Sequence, residues 1–310
     1  MRYAVLFPGQ GSQRVGMGAD LFDARPDRLV DASDRVLGWS LREVCLDGPE
    51  EKLTATEHAQ PALYALAYQL WTELSERVGG PPAAAAGHSL GEYTALAAAG
   101  AFSFETGLGL VDRRARAMAD AVARVGSGMA ALLGVSDEVA RQVASDRRRE
   151  GGRLWVANLN APGQVVAAGA LDDIGWLVGN ARDLGIRRAI QLDVAGAFHT
   201  PLMEPAVSRL ADALAGVGIR PLAFPVWANV TARPMAGSQV KEMLSRQITA
   251  PVRFGETLRG MADAGVDTFV HVGPGDVTAG LARRAARGCR VLVASSIAEV
   301  EEVADRLGRS

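Results

Sequence analysis

This chain of 310 residues has few cysteines, little net charge and no long apolar runs, and each of these features excludes a class of protein. The two cysteines, Cys45 and Cys289, do not make a disulfide framework, and no Cys/His zinc pattern surrounds them. A net charge of −2 gives no reason to expect nucleic acid or a membrane surface as a partner. The apolar run at the N-terminus is too short for a signal peptide, and no run is long enough to span a bilayer. We therefore expect a cytoplasmic globular protein.

Strand-like and helix-like segments alternate along most of the chain, which favours an α/β fold with a mainly parallel sheet. The apolar run Tyr3–Phe7, stopped by a Pro-Gly pair, predicts a first buried strand. Apolar residues at three- and four-residue steps predict long helices over 27–44, 61–78 and 104–125.

The order of predicted elements changes between residues 127 and 194, where strand, helix, strand, strand, helix and strand follow one another. This order is that of the ferredoxin-like, split βαβ unit. We predict a large subdomain over 1–126 and 195–310, with a small inserted subdomain over 127–194. The two subdomains would meet in a cleft, which is a common place for a ligand site.

A Gly-x-Ser-x-Gly pattern, Gly87–Gly91, follows a run of alanines and precedes a helix-competent segment over 92–99. Strand, sharp turn and helix in this order form a nucleophile elbow, in which the central serine, Ser89, is exposed for attack. A chance match is the alternative in a chain rich in glycine and alanine. The strand before the pattern and the helix after it favour a catalytic Ser89.

A serine hydroxyl needs a base before it can attack at neutral pH. Of the four histidines, His88 adjoins the serine on a turn where neighbours point apart, and His271 lies inside an apolar strand. His58 lies in a polar connection, whereas His199 lies in a loop downstream of the serine, in the Ser-before-His order of α/β hydrolase-like enzymes. These positions favour His199.

An acidic third member is harder to identify. Three aspartates between serine and histidine, all in the predicted insertion, are candidates: Asp172, Asp173 and Asp193. A backbone carbonyl can also orient a histidine. We therefore predict a Ser–His dyad.

Two other segments supply polar candidates. The loop Gly9–Gln13 follows the first strand, at the sheet edge where α/β proteins bind ligands, but it lacks the lysine of a phosphate loop. Gln10 is either a polar group directed at Ser89 or a turn residue. The predicted helix 104–125 carries three arginines, Arg113, Arg114 and Arg116, which form a solvated face unless one turns inward under the elbow.

Together, six stretches make the chain resemble the malonyl-CoA:acyl carrier protein transacylases of fatty-acid and polyketide synthesis. They are Phe7–Gln13, Gln60–Ala62, Gly87–Tyr93, Asn158–Gln164, Ala197–His199 and Val272–Gly275. The resemblance covers nearly the whole chain. It implies an α/β hydrolase-like large subdomain with a ferredoxin-like insertion, Ser89 as nucleophile and His199 as base. It also implies an oxyanion hole made by the backbone N–H groups of Gln10 and Leu90.

Further site residues follow from the same resemblance. Arg114, four residues before Met118, would hold the malonyl carboxylate, because a planar guanidinium suits a bidentate carboxylate. Phe198 would fill the space that an α-methyl group on the substrate needs, which favours malonyl over methylmalonyl. The backbone carbonyl of Arg253 would orient His199. Three amide side chains would contribute to substrate binding: Gln60, Asn160 and Gln164.

The resemblance implies a ping-pong reaction that uses malonyl-CoA and an acyl carrier protein and needs no metal or redox cofactor, and we expect the chain to be a monomer. Two basic patches, Arg147–Arg149 and Arg283–Arg284, are candidates for docking the acidic carrier. Three alternatives remain: an acyl hydrolase that clears carriers, a transferase with an unusual or carrier-bound donor, and a non-catalytic docking subunit.

Overall fold

The computed structural model describes residues 1–123, 126–194 and 196–308. The strands are β1 Tyr3–Phe7, β2 Ala84–Gly87, β3 Ser127–Leu133, β4 Leu154–Ala161, β5 Gln164–Ala170, β6 Arg188–Gln191, β7 Val226–Ala228, β8 Arg233–Met235, β9 Thr268–Val272 and β10 Arg290–Ala294. The α-helices are α1 Ala19–Ala24, α2 Ser33–Leu37, α3 Leu41–Leu46, α4 Glu50–Thr54, α5 Thr56–Arg77, α6 Gly91–Ala98, α7 Phe104–Ala123, α8 Asp137–Arg149, α9 Leu171–Gly179, α10 Glu204–Ala215, α11 Val240–Gln247, α12 Phe254–Asp263, α13 Val277–Ala285 and α14 Ile297–Gly308.

A six-stranded sheet in the order β10-β9-β1-β2-β7-β8 forms the centre of the large subdomain. Its strands are parallel except for β8, which pairs antiparallel with β7 at one edge. Every residue of β1 and β2 is buried, as expected for central strands covered on both faces. The register pairs Phe7 with Gly87, so the loop after β1 and the elbow after β2 leave the same edge of the sheet. A Cβ on Gly9 would lie 2.5 Å from the carbonyl oxygen of His88.

The second sheet has four antiparallel strands in the order β4-β5-β3-β6. With α8 and α9 between its strands, this is the ferredoxin-like arrangement that the sequence predicts. All four strands lie within the predicted insertion, 127–194. The N–H of Leu159 on β4 donates to the carbonyl of Val252 at 2.8 Å, which ties the small sheet to the segment before α12.

The predicted strand Tyr3–Phe7 is confirmed, whereas the helix predicted over 27–44 is wrong as one element. A π-helical segment at Asp27–Ala32 and the helices α2 and α3 occupy that range, because Gly38 breaks it at a φ of 77°. Helix α5 begins at Thr56, five residues before the predicted start. Its buried face packs along α7, which outweighs the one hydrogen bond that Pro61 removes.

Helix α7 matches the prediction up to Ala123, and the last two residues of the predicted range lie outside the described residues. Within 1–123, 126–194 and 196–308, no helix combines the length and the apolar character that crossing a bilayer requires.

Candidate active site

The elbow holds Ser89 in a left-handed backbone conformation with a φ of 50°. A non-glycine residue adopts this conformation at a cost, so the surrounding contacts must enforce it. A Cβ on Gly87 would lie 1.8 Å from the carbonyl carbon of Gly91, and one on Gly91 would lie 2.4 Å from the carbonyl oxygen of Phe7. Both positions therefore require glycine, because neighbouring backbone atoms leave no room for a side chain.

Ser89 and His199 lie in direct hydrogen-bond contact. The distance from Ser89 Oγ to His199 Nε2 is 2.7 Å, and that from His199 Nδ1 to the backbone carbonyl of Gln247 is also 2.7 Å. A carbonyl only accepts, so Nδ1 carries the hydrogen and Nε2 presents its lone pair to the serine hydroxyl. His199 itself has a φ of 60°, which is also a left-handed backbone conformation.

The expectation that the Arg253 carbonyl orients His199 is wrong. That carbonyl accepts from the N–H and the Oγ1 of Thr257, at 3.0 and 3.1 Å, because Arg253 precedes the first turn of α12. The carbonyl that faces the imidazole is that of Gln247, the last residue of α11. The site thus has the predicted Ser–His dyad oriented by a backbone carbonyl, but the carbonyl belongs to Gln247 and not to Arg253.

Burial and, to a lesser extent, the positive charge of Arg114 together lower the pKa of His199 to about 3. Both effects disfavour the imidazolium ion. The ring is therefore neutral at pH 7, in the form that accepts the serine proton.

Arg114 is the inward-facing arginine of α7. Its exposed fraction is 0%, whereas Arg113 and Arg116 are exposed, as expected for a solvated face. Arg114 Nη1 donates to Gln60 Oε1 at 2.5 Å, and Nη2 donates to Ser89 Oγ at 2.9 Å. Its Nε has no hydrogen-bond partner among the described residues. A buried guanidinium thus lies beside the nucleophile with a donor still unpaired.

A cavity of about 180 Å³ opens beside Ser89 between the two sheets. Its lining includes the remaining predicted site residues, namely Gln10, Gln60, Leu90, Asn160, Gln164 and Phe198. Asn160 Oδ1 is 2.8 Å from His88 Nε2, and Gln164 Oε1 accepts from Arg284 at 3.0 Å. Gln10 donates through its side chain to Thr56 at 3.3 Å. In the described part of the chain, the backbone N–H groups of Gln10 and Leu90 donate to no protein acceptor.

The other histidines do not reach the serine. His271, which the sequence places inside an apolar strand, is a buried core histidine between Thr278 Oγ1 and the Gly273 carbonyl, at 2.5 and 3.0 Å. The acidic candidates are elsewhere as well: Asp173 pairs with Arg147 at 2.7 Å, and Asp193 is exposed.

Three buried residues under the elbow escape sequence reasoning: Glu92, Asn229 and Gln247. The N–H of Ser89 donates to Asn229 Oδ1 at 2.8 Å, across 140 positions of sequence. Glu92 Oε2 accepts from Gln247 Nε2 at 2.8 Å, and burial raises the pKa of Glu92 to about 7. Glu92 follows the Gly-x-Ser-x-Gly pattern directly and could have been noticed there. Nothing in the sequence near Asn229 or Gln247 points to a serine so far away.

Comparison with known proteins places this geometry in a family. The model of the acyl transferase domain family matches residues 5–305. The malonyl CoA-acyl carrier protein transacylase of Bacillus subtilis is 39% identical over 303 residues, which cover 97% of this chain and 95% of the relative. The polyketide biosynthesis malonyl CoA-acyl carrier protein transacylase BaeC of Bacillus velezensis is 38% identical, with 90% of this chain and 95% of the relative covered.

Solved structures agree with the sequence relatives. The malonyl CoA-acyl carrier protein transacylase of Coxiella burnetii superposes with a TM-score of 0.94 at 32% identity, covering 99% of this chain and 98% of that one. A chain from a complex between a type II PKS acyl-carrier protein and its malonyl-transacylase gives a TM-score of 0.94 at 33% identity, covering 99% and 100%. The chain therefore belongs to the acyl transferase domain family, among the malonyl-CoA:acyl carrier protein transacylases.

Proposed function

We propose that this chain moves a malonyl group from malonyl-CoA to the phosphopantetheine thiol of an acyl carrier protein, for fatty-acid or polyketide synthesis. The observation that carries the proposal is the buried Arg114 guanidinium, 2.9 Å from the Oγ of Ser89. An acyl-transfer site that handled only neutral acyl chains would have no use for a fixed positive charge beside its nucleophile. A carboxylate at the far end of the acyl group gives that charge a partner.

The first half-reaction forms an ester on Ser89. As the Oγ attacks the thioester carbonyl, its proton passes to Nε2 of His199, which lies 2.7 Å away with its lone pair exposed. The negative charge that develops on the carbonyl oxygen would be held by the N–H groups of Gln10 and Leu90, beside the N-terminus of α6. The tetrahedral intermediate then expels coenzyme A, whose sulfur takes the proton back from His199.

The second half-reaction reverses these roles. The carrier's thiol gives its proton to His199 and attacks the malonyl-Ser89 ester. The serine oxygen leaves and recovers the proton. The thioester becomes an ester and then a thioester again, so no atom changes its oxidation state. We propose that no metal or redox cofactor takes part.

Arg114 and Phe198 would select the acyl group. The guanidinium holds the malonyl carboxylate through charge-assisted hydrogen bonds, and the rigid fork of Arg114 suits both carboxylate oxygens. The phenyl ring of Phe198 is 7% exposed and lines the same cavity. It would occupy the volume that an α-methyl group requires.

For the carrier, the structure favours the Arg283–Arg284 patch over Arg147–Arg149. Arg284 donates to Gln164, a cavity-lining residue, and the same helix α13 contributes Val277 and Leu281 to the cavity wall. In the other patch, Arg147 is paired with Asp173. We propose that the acidic carrier docks on the exposed face of α13 at the cleft mouth.

Charge reversal at the two patches tests the docking surface. Arg283→Glu, an exposed position of the same patch, should raise the KM for the carrier and leave that for malonyl-CoA unchanged, whereas Arg149→Glu serves as the matched control. If the KM for the carrier is the same in the two charge-reversal variants, α13 does not form the docking surface.

The proposed activity has a direct test. The purified chain is mixed with malonyl-CoA and a phosphopantetheinylated carrier, and the mass of the carrier is followed. A malonyl increment on the carrier supports transfer, whereas release of free malonate at the same rate without the carrier would indicate a hydrolase. The monomeric state and the cytoplasmic location stay predictions from the sequence, and light scattering coupled to size exclusion measures the first.

A further inference from the structure

Three polar side chains beneath the elbow do not touch the cavity, yet they form one hydrogen-bonded group with the nucleophile. Glu92, Asn229 and Gln247 each have an exposed fraction of 0%. They come from helix α6, from the turn after β7 and from the end of α11, three elements that are far apart in the sequence. Because buried polar groups are costly to assemble, this group calls for an explanation beyond simple packing.

Asn229 holds the elbow from both sides. Its Oδ1 accepts from the N–H of Ser89 at 2.8 Å, and its Nδ2 donates to the carbonyl of Gly87 at 2.7 Å. These bonds stabilise the left-handed backbone of Ser89. They also occupy the Ser89 N–H, which leaves the next one along the turn, that of Leu90, to face a substrate oxygen.

Gln247 contacts every charged or reacting group of the site. Its Nε2 donates to the carbonyl of Ser89 at 3.0 Å, and its Oε1 accepts from Arg114 Nη2 at 3.0 Å. Its backbone carbonyl accepts from His199. A rotation of this side chain or a shift of its backbone would disturb nucleophile, base and guanidinium together.

Glu92 fixes the orientation of the Gln247 amide together with the Ser89 carbonyl and Arg114. Its Oε2 accepts from Gln247 Nε2 at 2.8 Å and from the backbone N–H of Asn229 at 3.0 Å. Because a carboxylate oxygen accepts, the amide must present its NH2 to Glu92 and its oxygen to Arg114. The flipped amide would place NH2 hydrogens against the guanidinium and an oxygen against the carboxylate.

We propose that Glu92 is a positioning residue for acyl transfer, which sets the Gln247 amide and the Asn229 turn and thereby orients Ser89, His199 and Arg114. This inference rests on the proposed function of the same site. The other oxygen of Glu92, Oε1, has no hydrogen-bond partner among the described residues. A carboxyl buried with one oxygen unpaired costs stability, so an apolar side chain would serve packing better than Glu92 does.

Three substitutions separate positioning from packing. Glu92→Gln keeps an oxygen at the same reach, able to accept both hydrogen bonds. Glu92→Ala removes that acceptor, and Glu92→Asp keeps the carboxylate but draws it back by one methylene. The initial rate of acyl-enzyme formation is measured by quenched intact mass with malonyl-CoA and with acetyl-CoA, and each rate is divided by the folded fraction from circular dichroism.

We expect the malonyl rate to fall about 100-fold in Glu92→Ala and Glu92→Asp, the size of effect produced by a displacement of about 1 Å in a reacting group. Because Arg114 loses its fixed orientation, the ratio of malonyl to acetyl rates should also fall, by about tenfold. Glu92→Gln should retain both values within about threefold. If Glu92→Ala does not fold, the contrast between Glu92→Asp and Glu92→Gln carries the same information.

Two results would overturn the proposal. Rates in Glu92→Asp equal to those of the wild type would show that the position of the oxygen is immaterial, and loss in Glu92→Gln equal to that in Glu92→Asp would show that the charge is what matters. If the wild type itself forms no acyl-enzyme, the proposed function has failed instead.

Discussion

The backbone carbonyl of Gln247 accepts a hydrogen bond from Nδ1 of His199 at 2.7 Å, in the place where many serine enzymes have an aspartate. The carbonyl fixes the tautomer of the imidazole without burying a negative charge. Gln247 also links the base to the guanidinium, because its side chain accepts a hydrogen bond from Arg114. Substitution of a side chain cannot remove a backbone carbonyl, so the evidence for a dyad must come from the aspartates.

Asp193→Asn should leave turnover within about twofold of the wild type, because Asp193 is exposed and a surface substitution of this kind changes stability by no more than about 0.5 kcal/mol. Steady-state transfer of malonyl to the carrier measures it. A fall of about 10⁴-fold, as in a Ser-His-Asp enzyme that loses its aspartate, would mean a true triad.

Arg114→Ala should lower the ratio of malonyl to acetyl acylation by about 100-fold or more, since charge-assisted hydrogen bonds contribute about 1.5–3 kcal/mol each. The two acyl-CoA substrates are compared by rapid-quench mass measurement. Arg116→Ala, an exposed position on the same helix, is the matched control. An unchanged ratio would show that Arg114 does not select the substrate.

Phe198→Ser should raise the kcat/KM for methylmalonyl-CoA relative to malonyl-CoA by about 10-fold to 200-fold, the range for one methyl group in a pocket. Phe198→Leu keeps most of the bulk and should shift the ratio much less. If both variants shift the ratio equally, the volume at this position is not what excludes the methyl group.

Stability should depend on pH through Glu92. Burial raises its pKa from 4.5 to about 7 in the folded chain, opposed by the hydrogen bonds from Asn229 and Gln247 and by the charge of Arg114. The folded state therefore holds more protons than the unfolded state between these values, so this stabilisation is complete below pH 4.5 and is lost as the pH rises through 7.

Relative to Glu92→Gln, the free energy of unfolding of the wild type should fall by up to about 3 kcal/mol over that window, since each pKa unit corresponds to about 1.4 kcal/mol. Urea unfolding at several pH values measures the difference. The exposed Glu301→Gln serves as the charge control. Parallel curves for wild type and Glu92→Gln would contradict the raised pKa.

Sequence reasoning succeeds where the signal is local. The strand Tyr3–Phe7 has the bounds that its apolar run and the Pro-Gly pair after it predict, and helix α7 begins at the predicted residue, Phe104. The elbow is predictable because two glycines, a strand and a helix lie within a few residues of Ser89. These features depend on residues that are close together in the sequence, so a sequence pattern can predict them.

It fails where contacts join distant segments. The side chain of Gln247 reaches the backbone of Ser89 across 158 positions, and no spacing rule connects them. The same limit explains the wrong choice of Arg253: the carbonyl that faces His199 is set by how α11 ends against the elbow, which the local sequence does not record. The helical pattern alone does not show that Arg114 is the arginine that faces inward, since Arg113 and Arg116 lie on the same helix.

The proposed reaction depends on a covalent malonyl ester on Ser89, which intact mass spectrometry detects. Wild type and Ser89→Ala are each mixed with malonyl-CoA, quenched in acid and weighed. We expect an added malonyl group on the wild type and none on Ser89→Ala. An equal adduct on both proteins, or transfer to the carrier by Ser89→Ala at the wild-type rate, would contradict it.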